Sequence, residues 1–339
     1  MTCANPIKIW NKEEKDWQYV ACRKCILCRQ KRCRDWSIRL IKEAQYHKKM
    51  CMLTLTFSPK FLLRPLWVKL YKYKREQNPY YTEDLMPYRT KRIKYSTLIS
   101  PKYIQDVKQT GWLITRFFKK LRKKFQDPIT FFAIGEHGTK NTHRAHWHII
   151  LFGINKEDLE GVQIGTSPKG KPIYYSKIIE KLWEFEDLNI GKHTISDVTD
   201  RTIKYTANYT MKKMYNAEKG IYPTTMRFST RNKIGTKWCR RMHKELRKGY
   251  LEDSDGGKYA IPKAFIEELK RYTTKVDSCV RTHTDQRNIL ETLLEIEKIG
   301  ETMFLKLREQ IGVKTMEEYT RRKAERLKHR LDKQERDFF

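Results

Sequence analysis

The sequence predicts an α+β fold built on an antiparallel sheet. Three observations carry that reading. Strand-like runs are joined by polar connections that read as hairpins. Amphipathic helices sit among them in no strict alternation. Hydrophobic residues make up 39% of 339 positions, enough for a core in one large or two modest domains.

Residues 1–33 hold five of the eight cysteines. Residues 34–49 read as a helix with Trp36, Leu40, Ile41 and Ala44 on one side. In the strand 51–57, Leu53, Leu55 and Phe57 alternate with Thr54 and Thr56. The stretch 58–110 is long, irregular and rich in Tyr and Lys, which marks it as a contact-making insertion rather than a linker. Residues 112–125 form an amphipathic helix. Leu113, Phe117, Leu121 and Phe125 give its apolar stripe, with Lys119, Lys120 and Lys123 among the basic residues around it. Next, the β-branched and aromatic run Ile129–Gly135, a polar connection from Glu136 to Arg144 and the run through Phe152 make a hairpin. Residues 160–175 read as a second hairpin region, 176–186 as a helix capped by Ser176, and 192–198 as a strand. From about residue 264 the chain reads as nearly all helix. It includes a capping box at Thr315-Met316-Glu317-Glu318 and a strongly basic stretch at 319–336, a solvated tail or a binding arm. The division this suggests is a Cys-rich segment and helix over 1–50, a core over 51–260 containing the 58–110 insertion, and a basic helical region over 261–339.

The segment Arg144-Ala145-His146-Trp147-His148 carries the most chemistry. Side chains alternate along a strand, so His146 and His148 share a face with Ile150 and Phe152, while Trp147, Ile149 and Leu151 take the other. Two adjacent imidazoles can chelate one divalent cation. The preceding strand would return Glu136 beside His146, completing a three-ligand site with open positions; His137 or His143 could take the place of Glu136. Further along, Thr199 or Asp197 can cap a helix in which Ile203, Ala207, Thr210 and Met214 form a packing stripe. Tyr205, Tyr209 and Lys212 fall on a different face at i, i+4, i+7. A phenol of pKa about 10 needs a cation or base to become a nucleophile. Lys212 and a nearby metal would serve; otherwise the tyrosines only anchor the helix.

Cys22-x-x-Cys25-x-x-Cys28 is an unusual spacing. Its thiolates, with Cys3 or Cys33 as the fourth ligand, can form a tetrahedral structural zinc site, against the alternative of reduced, unliganded thiols. The run to Cys33 departs from a ferredoxin pattern in its last gap and lacks the following proline. Cys51, Cys239 and Cys279 are isolated and read as packing residues. Gly165 to Lys171 has the spacing of a phosphate loop, but Pro172 follows where a Ser or Thr is required, so it reads as a hairpin turn.

Lysine and arginine number 72 against 40 acids, a formal charge of +32, which implies a polyanionic partner. No run of about 18 apolar residues and no signal peptide stands in the chain, so a membrane is not the expected polyanion. Nineteen tyrosines and eight tryptophans interleave with the basic residues. Cations for phosphates and aromatic faces for stacking suit single-stranded nucleic acid.

The chain resembles the HUH-type rolling-circle replication initiators, most closely those of the small single-stranded DNA phages, the gokushovirus-like microviruses. Met52 to Phe57 is similar to the first motif of that family, Arg144 to His148 to the second, and Tyr205-x-x-x-Tyr209-x-x-Lys212 to the third in its two-tyrosine form. The cysteine cluster, Trp36 to Ala44 and Ser229 to Trp238 extend the likeness over roughly the first two-thirds of the chain, with Ala145 standing where many relatives have proline. The resemblance implies a ferredoxin-like (RRM-like) core with its histidines on a central strand. It implies a metal-dependent, site-specific nuclease that nicks and rejoins single-stranded DNA at a viral origin through a 5′-phosphotyrosine. The cation would be magnesium or manganese on His146, His148 and Glu136. Tyr205, Tyr209 and Lys212 would carry the chemistry, and Lys119, Lys120, Lys123, Lys213, Arg144 and the 58–110 insertion would contact DNA. Host helicase and polymerase would be partners in the cytoplasm of a bacterial host. Two other readings remain at this level: a non-catalytic zinc-dependent nucleic-acid-binding protein, and a related tyrosine transposase or relaxase.

Overall fold

The computed structural model describes residues 3–12, 15–57, 111–125, 128–137, 145–167, 170–183, 193–211, 224–231, 233–274 and 283–310, with the single positions Arg321 and Glu325. The first elements are β1 (Ile7–Asn11), β2 (Asp16–Val20), α1 (Ile26–Ala44) and β3 (Met50–Thr56). There follow α2 (Gly111–Lys124), β4 (Thr130–His137), β5 (Ala145–Phe152), β6 (Val162–Thr166), β7 (Pro172–Tyr175), α3 (Lys177–Leu182), β8 (Thr194–Ser196), α4 (Asp200–Asn208) and β9 (Thr225–Phe228). The chain continues with α5 (Thr236–Arg241), β10 (Tyr250–Glu252), β11 (Lys258–Ala260), α6 (Lys263–Thr274) and α7 (His283–Gln310). The fold is α+β with a large antiparallel sheet. Two compact units make it up, residues 47–232 and the discontinuous pair 1–46 with 233–339.

The 47–232 unit is a seven-stranded sheet of order β6-β7-β8-β3-β5-β4-β9. Its middle strands β8-β3-β5-β4, with α2 between β3 and β4 and α3 between β5 and β8, have the connectivity of a split βαβ unit. Period-two alternation sorts the residues. Leu53 and Leu55, Phe131 and Ala133, Trp147, Ile149 and Leu151, and Ile195 point to one side. There they pack against Leu113, Ile114, Phe117, Phe118 and Leu121 of α2 and against Ile179 and Trp183. Phe118 stacks on Phe131 at a centroid distance of 3.5 Å, and the Trp183 indole donates to the Thr56 carbonyl at 2.8 Å. Burying each such side chain stabilises the unit by about 1.5–3 kcal/mol. The other face of the sheet carries the residues of the candidate site, under α4.

The 176–186 helix is realised as α3, capped by Ser176, whose hydroxyl accepts from the Ile178 and Ile179 amides. It stops at Leu182 because Trp183 leaves helical geometry to enter the core. The strand expected over 192–198 is limited to β8, where Met52, Leu53 and Thr54 offer it partners. The phosphate-loop look-alike is the β6–β7 turn, closed by Ser167 N–H donating to the Lys171 carbonyl at 2.7 Å.

In the other unit, α1 begins at Ile26, eight residues before the expected start, since Leu27, Cys28 and Cys33 are buried on it. Its Ile38 packs with Trp238, Cys239, Leu246, Leu251, Phe265, Leu269 and Ile289. The Glu43 carboxylate accepts the Gly235 amide at 2.7 Å. Gly235 has φ +80°, and a Cβ there would meet the Phe265 ring at 2.8 Å. These contacts explain why the grouping differs from the division 1–50, 51–260 and 261–339. Residues 233–260 complete the core of α1 and belong with the N-terminal segment. Cys51 and Cys239 are buried packing residues, as expected. The 58–110 insertion, the 315–318 capping box, the tail from 319 apart from Arg321 and Glu325, and Cys279 lie outside the described residues.

Candidate active site

Strand pairing builds the site. β5 lies between β3 and β4, so its backbone is hydrogen-bonded on both sides and its side chains are held in register. Glu136 stands directly opposite His146, and Thr54 and Ile134 flank His148 from its two neighbours. The His146 and His148 Nε2 atoms lie 2.9 and 3.2 Å from the same carboxylate oxygen, Glu136 Oε1. Glu136 and His148 are buried and His146 is half-buried, and the three ligand atoms fall within 4.8 Å of one another. A buried carboxylate between two imidazoles is the donor set of a hard-to-borderline divalent cation. On the far side of His148, Thr54 Oγ1 is 3.3 Å from Nδ1. Ring N–H partners of this kind fix which nitrogen faces a metal.

Thr199 starts α4 with a reciprocal cap to Thr202, and Ile203, Thr206 and Ala207 bury its inner side. The helix ends at Asn208, so Tyr209 opens a short 3-10 turn over Tyr209–Met211 instead of continuing the helix. Both tyrosines still reach the histidines. Tyr209 stacks flat on His148 with centroids 4.6 Å apart, and Tyr205 meets the same ring edge-on at 6.0 Å. The Tyr209 hydroxyl donates to that of Tyr205. Their surroundings differ sharply, Tyr209 being 9% exposed and Tyr205 51%. Burial, the Glu136 carboxylate and the bond to Tyr205 push the Tyr209 phenol above its ordinary value.

The second group is Cys3, Cys22, Cys25 and Cys28, again with all ligand atoms within 4.8 Å. Cys3 to Cys25 and Cys22 to Cys28 are 3.8 and 4.0 Å between sulfurs. A tetrahedron of roughly 2.3 Å zinc–sulfur bonds has edges of roughly 3.8 Å, so these thiols fit one ion. Burial raises the Cys25 thiol, but amides of Cys28 and Ala4 and the neighbouring thiols outweigh it and bring Cys25 down to about 6. Burial pushes Cys28 and Cys3 up. Of the two candidates for a fourth ligand, Cys3 joins the group. Cys33 does not; it is buried further along α1, and its carbonyl accepts the Ser37 hydroxyl.

The remaining expected residues divide. Lys119, Lys120 and Lys123 stand on α2, which covers the sheet face opposite Glu136 and the histidines, so they are not brought to the site. Arg144, Lys212, Lys213, Met214 and His143 lie outside the described residues, as does the side chain of His137. Thr54 was overlooked as a site residue although it lies inside the strand motif. Its signal is the alternation itself, which points Thr54 and Thr56 to the histidine face.

A two-strand His-x-His and Glu group beneath a tyrosine-bearing helix belongs to a protein that handles phosphodiesters. Residues 50–214 match the family model of the replication-associated protein ORF2. Curated relatives agree. Replication-associated protein ORF2 of Spiroplasma virus 4 is 29% identical over 268 residues, covering 74% of this chain and 68% of that protein. Replication-associated protein VP4 of Bdellovibrio phage phiMH2K is 25% identical over 253 residues, covering 74% and 67%. Replication-associated protein ORF4 of Chlamydia phage 1 is 26% identical over 198 residues, covering 57% of this chain and 38% of its own length. The chain belongs with these microvirus-like phage replication-associated proteins. No solved structure matches it.

Proposed function

We propose that the protein is a metal-dependent, site-specific endonuclease and strand transferase that starts and ends rolling-circle replication of a phage genome. One observation carries this reading: two tyrosine hydroxyls, bonded to each other, lie against the ring of His148 beside the Glu136–His146–His148 group. A divalent cation bound there, magnesium or manganese, would supply positive charge that polarises the scissile phosphate and offsets the Glu136 carboxylate. Glu136 and the two imidazoles hold their positions through the paired strands, so little reorganisation is needed during reaction.

The phenolic oxygen of Tyr205 or Tyr209 forms a bond to phosphorus as the bond to the 3′ oxygen breaks. The phenol proton leaves through its hydrogen-bonded partners, and the 3′ oxygen ends as a hydroxyl that can prime synthesis. One phosphodiester replaces another, so reversal rejoins the strand without ATP. The second tyrosine, hydrogen-bonded to the first, is available for a second cut while the first carries DNA. The four-cysteine group takes zinc and holds the N-terminal segment. The DNA would be a viral origin in the bacterial cytoplasm, with host helicase and polymerase as further partners.

The test is incubation with origin-containing single-stranded DNA and manganese, followed by denaturing separation. A protein–DNA adduct is expected from the wild type and none from His146→Ala with His148→Ala, which should retain most DNA affinity because basic and aromatic residues carry binding. A wild type that binds but forms no adduct would return the protein to a non-catalytic zinc-dependent binder.

A further inference from the structure

The β1–β2 hairpin presents a surface that the nicking site does not use. Its register sets Lys8 opposite Tyr19 and Trp10 opposite Trp17, so these four side chains share one face. Trp10, Trp17 and Tyr19 are 48%, 52% and 58% exposed. The indoles meet edge to face with centroids 5.5 Å apart, which leaves ring faces open, and Lys8 Nζ lies 5.2 Å from the centre of the Trp17 ring. Asp16, the acid of the two strands, pairs with Asn11 and points to the opposite face. Across residues 1–46, eleven lysines and arginines stand against five acids.

The hairpin is also clamped. Cys3 precedes β1 and Cys22 follows β2, and the Cys22 amide donates to Cys3 Sγ at 3.2 Å. A two-stranded hairpin alone is marginal in water. Here the sulfur group closes its open end, so the aromatic face is held out at a fixed base.

We propose that this face is a stacking platform for single-stranded DNA, with bases lying on Trp10, Trp17 and Tyr19 and Lys8 meeting phosphate. Aromatic faces interleaved with a cation match exposed bases on a charged backbone. A duplex keeps its base faces inside its own stack, so the platform selects single strands. The proposal rests on DNA being the substrate, as read above, but concerns a different surface from the nicking site.

The test uses the full-length, zinc-loaded protein and a short mixed-sequence oligonucleotide without an origin, single-stranded or annealed. Trp10→Ala with Trp17→Ala should weaken single-strand binding by about 10–100-fold and duplex binding far less, while Trp10→Phe with Trp17→Phe keeps most of the affinity. Irradiation of the wild type with a 5-iodouracil oligonucleotide should crosslink within residues 8–19, a readout that needs no variant to fold. The same crosslink should persist in His146→Ala with His148→Ala, so this outcome is independent of whether nicking occurs. The proposal is overturned by unchanged single-strand affinity, by equal loss on duplex, or by absence of the crosslink. It is also overturned if the double alanine variant abolishes a wild-type self-association while leaving DNA affinity intact, which would make a second copy the occupant.

Discussion

Replacing Thr54 by valine should weaken divalent-cation binding at the histidine pair by about tenfold. Thr54 Oγ1 lies 3.3 Å from His148 Nδ1, at the long end for a hydrogen bond, so its own worth is about 1 kcal/mol. That alone is about fivefold in affinity. Partners that orient a metal-ligating imidazole cost about 10–100-fold when removed, and the long distance places this one near the lower bound. Valine keeps the β-branch, and the backbone at position 54 remains paired with His148 and Thr194, so the strand should persist. Titration of metal-free protein with manganese, following the free ion by EPR, reads the affinity directly. Thr54→Ser should restore it to within about twofold of the wild type. Equal manganese affinity in Thr54→Val and wild type would refute the orienting role. A serine variant as weak as the valine one would show that shape, not the hydroxyl, matters.

Three further outcomes are expected. Tyr205→Phe and Tyr209→Phe should each still form some adduct on denaturing gels, with the larger loss of first-turnover rate in the exposed Tyr205 variant, while the double variant forms none; loss of every adduct in one single variant, with full rounds in the other, would leave one catalytic tyrosine. Cys22→Ser with Cys25→Ser should lose zinc by metal analysis. In metal-free wild type, iodoacetamide should modify Cys25 first at neutral pH, because a thiol at about 6 is mostly thiolate there, and its rate should fall as pH drops below 6, with Cys3 and Cys28 slower throughout. Lys119→Ala, Lys120→Ala and Lys123→Ala together should change the adduct rate at saturating DNA by less than about twofold, since α2 covers the far face of the sheet; a larger drop would put DNA on both faces.

The site could be read from sequence where local periodicity decided geometry. Alternation alone put His146 and His148 on one face, and hairpin connectivity alone returned Glu136 to them. The tyrosines at i and i+4 were equally readable, because the inner stripe of Ile203 and Ala207 left their side of the helix for other work. What could not be read depends on contacts distant in sequence. Nothing local to Trp238 or Leu246 indicates that they complete the core of Ile38. The β1–β2 hairpin has apolar side chains on both faces, Ile7 and Ile9 on one and Trp10 and Trp17 on the other, so no in–out alternation marks it. Choosing Cys3 over Cys33 likewise required the chain to fold back across that hairpin. For Lys119, Lys120 and Lys123, charge was visible, but the side of the sheet they occupy was not.

The discontinuous unit has a consequence for how the protein comes into being. Helix α1 leaves the ribosome early, yet Trp238, Leu246, Phe265 and Ile289, which close over Ile38, are made only after the whole of the 47–232 unit. At about 5–20 residues per second that interval is on the order of 10–40 s. During it, the nascent helix must expose Ile38, or shelter it against something else, while the sheet that bears the histidines can already assemble. A chain interrupted near residue 232 would thus carry a complete sheet and an orphaned amphipathic helix, a substrate for chaperones and proteases.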